Sequence, residues 1–143
     1  MRKQALIQVI GTQVHSDGTS DRMDFTTTGT FYLREGAYYI IYRESAVTGM
    51  EGVTTSLKIE PEKVTINRMG VADYKQVFEI GFHHRSIYVT PQGSFYLAAD
   101  TKEMEILLTE QGGHITLKYN LFAEEDLVSQ NTLRIMIKED APR

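Results

Sequence analysis

The stretch Ala37-Tyr38-Tyr39-Ile40-Ile41-Tyr42-Arg43-Glu44 decides the fold class. Its apolar residues do not recur at the three-to-four spacing of a helix. Tyr38, Ile40 and Tyr42 share one face at period two, and Tyr39 and Ile41 share the other, which is the signature of a strand. Aromatic and β-branched side chains also suit a pleated surface. Reading outward, the same period continues in both directions. Residues 53–60 put Val53, Thr55, Leu57 and Ile59 on one face, with Lys58 and Glu60 opposite. Residues 63–69 set Val64, Ile66 and Arg68 against Thr65, Asn67 and Met69. Residues 77–83 align Phe78, Ile80 and Phe82, and 85–90, 95–99 and 103–110 follow, the last with Met104, Ile106 and Leu108 inward. Residues 115–122 and 133–139 close the chain. Upstream, 25–33 is rich in Thr, Phe and Tyr, and Ile7, Val9 and Gly11 oppose Leu6, Gln8 and Ile10. The alternation yields about ten or eleven strands.

Turn residues fall between these segments. Asp17-Gly18, Glu35-Gly36, Met69-Gly70, Pro91-Gln92-Gly93 and Gly112-Gly113 supply hairpin chemistry. Pro61-Glu62 links two strands where a missing N–H harms no ladder. Longer connections are expected at Ser45–Gly52 and Gly70–Gln76. One turn of helix is expected at Ala123–Ser129, where Glu124, Glu125 and Asp126 suit a helix N-terminus. Short connections make sequential strands neighbours. A flat sheet of that many strands leaves two long edges, and closure removes them. The expectation is an all-β, up-and-down meander barrel of about ten strands.

The composition agrees. The chain has 143 residues, 41% hydrophobic and 24% charged, which is ordinary for one globular domain spanning 1–143. With no Cys, thiol catalysis, disulfides and cysteine-ligated zinc are excluded. The net charge of −4 argues against a nucleic-acid footprint. The basic start Met1-Arg2-Lys3 is followed by alternation rather than an apolar run, and no segment reaches the length of a membrane-spanning helix. The reading is a cytoplasmic protein with no membrane partner.

Two inward positions carry charge. Glu44 ends the face of Tyr38, Ile40 and Tyr42, and Arg68 ends that of Val64 and Ile66. A charge inside a barrel costs several kcal/mol unless paired or solvated. The two are expected to pair, with Tyr42, Tyr88, Thr90 and Tyr119 around them. They either reach water at the strand ends or form a polar anchor for an acidic or hydroxylated ligand. An Arg guanidinium holds a carboxylate bidentately.

Other chemistry is thin. His83 and His84 point to opposite faces, and neither they nor His15 and His114 show a metal-ligand spacing. Ser and His are present without a nucleophile elbow, and Gly112-Gly113 reads as a turn rather than a phosphate cradle. Glu103 and Glu105 read as a solvated outer face. No cofactor is expected. Aromatics on both faces at Phe31-Tyr32 and Tyr38-Tyr39 leave some outside, which suits a homodimer contact.

The pattern Tyr38-x-Ile40-x-Tyr42-x-Glu44 is followed by Gly52-x-Thr54-Thr55-x-Leu57-Lys58-Ile59 and Val64-x-Ile66-x-Arg68-x-Gly70. Then come Tyr88-x-Thr90-Pro91-x-Gly93 and Gly113-x-Ile115-x-Leu117-x-Tyr119-x-Leu121. In this order and spacing the chain resembles the YwiB-like family of small, uncharacterised bacterial proteins. The resemblance implies a calycin-like, lipocalin-like β-barrel and no assigned activity. The functional expectation is a non-enzymatic binding module for a small apolar or amphipathic molecule inside the barrel. Arg68 would anchor the head group, Glu44 would orient Arg68, and Tyr42, Tyr88, Thr90 and Tyr119 would line the mouth or wall. The alternatives are a filled barrel acting through its outer surface and, with least support, an enzyme.

Overall fold

Ten antiparallel strands close on themselves in a computed structural model that describes residues 2–44, 51–71 and 73–139. They are β1 (Lys3–His15), β2 (Ser20–Arg34), β3 (Ala37–Arg43), β4 (Val53–Ile59) and β5 (Val64–Gly70). β6 (Asp73–Phe78), β7 (His83–Thr90), β8 (Gly93–Thr109), β9 (Gly112–Ala123) and β10 (Asp126–Glu139) complete the ring. Each strand pairs with its neighbour in sequence, and β1 pairs with β10. The meander barrel expected from the alternation is therefore the observed fold.

Register turns alternation into an inside and an outside. Ile7 opposes Ile137, Phe31 opposes Ile40, Ile40 opposes Leu57, and Ile115 opposes both Ile106 and Ile135. Ile7, Phe31, Ile40, Leu57, Ile115 and Ile135 are at most 1% exposed and form one cluster. Each such side chain stabilises the fold by about 1.5–3 kcal/mol through burial. Gly29 sits in this wall because a Cβ there would collide with the Ile41 carbonyl oxygen and the Ile7 side chain. Its absence lets β1, β2 and β3 close up behind Tyr42.

Four local expectations are corrected. Ala123–Ser129 is not a helical turn: β9 runs into β10 through Glu124-Glu125, and Asp126 pairs with Ala123. Both glutamates adopt positive φ (50° and 74°), the twist a two-residue hairpin needs. Residues 77–83 are not one strand. β6 ends at Phe78, and Phe82 N–H closes a turn on the Glu79 carbonyl at 3.1 Å, with Gly81 at φ 87°. Ile80 and Phe82 are consequently 53% and 55% exposed rather than inward. Residues 95–99 and 103–110 belong to one strand, β8, joined through a bulge between Thr101 and Glu103. The extra residue resets the alternation, so Leu97 and Met104 both point inward although their numbers differ in parity. Finally, β6 begins inside the expected connection Gly70–Gln76. The other long connection, at Ser45–Gly52, lies outside the described residues through position 50.

The ring is uneven. The β1–β10 ladder runs from Ala5 to His15, whereas β6 and β7 pair only at Asp73–Val89 and Tyr74–Tyr88. Beyond that point the side chain of Gln76 replaces the ladder. Its Nε2 donates to the carbonyls of Val77 and His84, each at 3.0 Å. Its Oε1 accepts from Tyr74 and Ser86 hydroxyls, each at 2.9 Å. Fully buried and fully satisfied, Gln76 holds the seam together.

Candidate functional site

At the end of the barrel carrying the β1–β2, β7–β8 and β9–β10 hairpins the inward positions no longer fill the interior. A cavity of about 360 Å³ opens there. Ile66 and Phe78, members of the core cluster, form its floor. Met23, Leu97, Leu121 and Leu133 give it apolar walls. Arg68, Tyr74, Tyr88, Tyr119 and Asn131 bring polar groups to the same space. The aromatic side is braced: Phe78 and Tyr119 rings lie 4.6 Å apart, and Tyr74 and Tyr88 meet edge to face at 5.5 Å.

The expected ion pair is present. Arg68 Nε lies 3.8 Å from Glu44 Oε2. The Glu44 side chain is 1% exposed and that of Arg68 is 23% exposed. Thr55, opposite Arg68 on β4, donates its hydroxyl to the same Glu44 oxygen. The backbone of Glu44 is pinned by its N–H to the Val53 carbonyl at 2.8 Å. At 3.8 Å the charges attract without a hydrogen bond, and Arg68 Nε is buried with no acceptor among the described residues. The guanidinium sits 6.0 Å from the Tyr74 ring centre, within cation–π range.

Burial raises the pKa of three tyrosines above the ordinary tyrosine range. For Tyr42 the nearby Glu44 carboxylate adds to the effect, while Arg68 opposes it. For Tyr74 the neighbouring Tyr119 adds. For Tyr119 burial is again the dominant cause, with Arg68 pulling the other way. All three therefore remain neutral hydroxyls at physiological pH.

Of the six candidate residues, the fold brings Arg68, Tyr88 and Tyr119 to the cavity. Glu44 stands behind Arg68, and Tyr42 is buried beside Phe25, ring centres 6.0 Å apart. Neither lines the cavity. Thr90 belongs to the β7–β8 turn, where its hydroxyl donates to the Gly93 carbonyl at 2.9 Å and accepts from Gln92 N–H at 3.2 Å. It is therefore a turn residue and not part of the wall. The sequence reading missed Tyr74 and Gln76. Tyr74-x-Gln76-x-Phe78 does repeat at period two, a strand signal inside the stretch expected as a connection. Asn131 and Met23 carried no signal that separates them from ordinary strand residues.

Each histidine meets a carboxylate. His15 and Asp21 share a hydrogen bond at 2.7 Å, His84 and Glu79 at 2.9 Å, and His114 and Glu105 at 3.1 Å. His83 pairs with Asp100. Glu103 faces Lys118 at 3.1 Å, so Glu103 and Glu105 lie on the outer face as expected.

Comparison with known proteins gives a consistent outcome. The family described as a domain of unknown function, DUF1934, matches residues 7–135. The chain is 26% identical over 113 residues to the uncharacterized beta-barrel protein YwiB of Bacillus subtilis (strain 168), covering 79% of this chain and 78% of that one. The crystal structure of the ywiB protein from Bacillus subtilis matches with a TM-score of 0.87 at 22% identity, over 98% of this chain and 94% of the other. The structural likeness establishes the fold.

Proposed function

The chain belongs to the DUF1934 family of YwiB-type β-barrel proteins, and from that premise we propose that it is a non-enzymatic binding protein for a small amphipathic molecule held in the open half of the barrel. One observation carries the reading: a cavity of about 360 Å³ with apolar walls, lined by Arg68, whose Nε has no hydrogen-bond acceptor among the described residues. Small-ligand sites combine mostly apolar walls with a few convergent polar groups, at volumes of about 300–1,000 Å³. Glu44 serves here as the buried counter-ion that holds Arg68 in place. Tyr88 and Tyr119 form part of the wall.

A second reading rests on the outer surface. Ile87 and Tyr96 pair across β7 and β8, pointing outward, and are 50% and 61% exposed. A barrel working through such a face would not depend on its interior.

Native mass spectrometry of the protein purified from its own cells separates the two. The expected result is a reproducible extra mass released on denaturation. Leu97→Trp, which fills the cavity, should abolish that mass while the barrel still folds. A clean apo mass, together with no response of cavity residues to added amphiphiles in NMR titrations, would overturn the binding reading in favour of the outer surface.

A further inference from the structure

We infer that the ligand's head group is a carboxylate and that its body is an apolar chain of about ten carbons; this rests on the binding reading above and specifies its ligand. The argument is an inventory of donors and acceptors around the cavity. The acceptors closest to Arg68 are already engaged. Gln76 Oε1 accepts two hydroxyls, Glu44 accepts Thr55 and faces Arg68, and Asn131 Oδ1 accepts Ser129 at 3.3 Å. Asp21, exposed at the mouth, meets His15 through Oδ2 alone, at 2.7 Å.

The donors are not taken. Arg68 makes no side-chain hydrogen bond among the described residues, and its Nε is buried without a partner. The hydroxyls of Tyr88 and Tyr119 line the same space with no hydrogen-bond partner among those residues. A guanidinium and two free hydroxyls form a donor surplus. An ammonium head would bring only further donors, and a hydroxyl would bring one donor and no charge to meet the guanidinium. An ionised carboxylate is acceptor-only, with about four lone-pair sites, and matches the guanidinium fork. The guanidinium stands between the buried Glu44 and the cavity, so one cation serves two carboxylates from opposite sides.

The volume sets the size of the part of the ligand that the barrel encloses. At about 30 Å³ per water-sized group, 360 Å³ accommodates roughly a dozen non-hydrogen atoms. Ile66 and Phe78 close the floor, and below them the barrel is packed, so the chain cannot run on through the interior.

Isothermal titration calorimetry with decanoate, 1-decanol and decylamine tests the proposal on the full chain. Decanoate should bind about tenfold or more tighter than either analogue, the gain expected for a hydrogen bond to a charged group. Arg68→Gln alone leaves Glu44 buried and unpaired, so the decisive variant is the double change Glu44→Gln with Arg68→Gln, which removes both charges together. It should keep decanol binding and lose the preference for decanoate. Equal binding of decanoate and decanol by the natural chain would overturn the carboxylate assignment and leave the barrel reading standing. A decanoate preference that survives in the double variant would overturn the role of Arg68. No binding of any of the three would overturn the binding reading itself.

Discussion

The two ends of this barrel use one alternation for opposite purposes. In one half, Phe31, Ile40, Leu57 and Ile115 occupy inward positions and pack to near-zero exposure. In the other, the same inward phase carries Gly11, Arg68, Tyr88 and Asn131 around a cavity of about 360 Å³. Gly11 contributes no side chain, and its neighbour across the ladder, Met23, is left bordering the space. Period two therefore decides which side chains are inside. It does not decide whether the inside is full. That depends on the summed volume and polarity of side chains from strands that are distant in sequence.

The sharpest way to break this contrast is to truncate each half. Phe31→Ala should destabilise by about 3–5 kcal/mol, because it leaves a void in a packed cluster. Met23→Ala should lose under about 2 kcal/mol, because part of its surface already faces the cavity. Urea denaturation of both variants reads the difference, and equal losses would mean that the second half is packed as tightly as the first.

The next test bears on the charges at the boundary. Arg68→Gln should cost about 3 kcal/mol by leaving Glu44 buried and unpaired. Glu44→Gln should cost less, because the Arg68 side chain retains 23% exposure and reaches the cavity. The double variant should recover part of the loss, and the double-mutant cycle should give a coupling of about 1–3 kcal/mol. Additive losses would show that the 3.8 Å approach carries no energetic weight.

The smallest effect, counted per residue and per pH unit, is seen at alkaline pH. Tyr42, Tyr74 and Tyr119 have raised pKa values in the folded chain, against about 10 when unfolded. Their contribution is fully present below pH ~10 and is lost as the pH rises above it, because only the unfolded chain then releases these protons. Each such group removes up to about 1.4 kcal/mol per pH unit. Ultraviolet titration near the tyrosinate band should show some of the eight tyrosines ionising early and these three only on unfolding. Ionisation of all eight in one step near pH ~10 would place these hydroxyls in water.

How much was legible depends on whether a residue's role is local. Glu44 and Arg68 were readable because each ends an apolar face, so a charge there demands a partner. Tyr74 escapes because β6 has only six residues and begins within the stretch after Gly70 expected as a connection. Thr90 is expected beside the ion pair for its hydroxyl, but it falls in the turn, where that hydroxyl is used by Gln92 and Gly93. Ile80 and Phe82 match the phase of Phe78, but β6 ends at Phe78 and Gly81 at positive φ belongs to the turn that follows. The bulge in β8 had no signature in the residues, although its consequence did, since Met104, Ile106 and Leu108 were read as inward.

From its sequence alone this chain determined an all-β meander, the inside and outside of most strands, the positions of most turns and one buried ion pair. These are local properties, set by the two-residue repeat of the extended chain and by glycines and acidic residues that tolerate hairpin twist. Only the tertiary structure decided that one half is hollow, that Gln76 closes the β6–β7 seam, and that Arg68, Tyr88 and Tyr119 meet while Thr90 stays outside. Those outcomes depend on register around a closed ring, which joins residues as far apart as Gly11 and Asn131. No repeat within a single strand records that register.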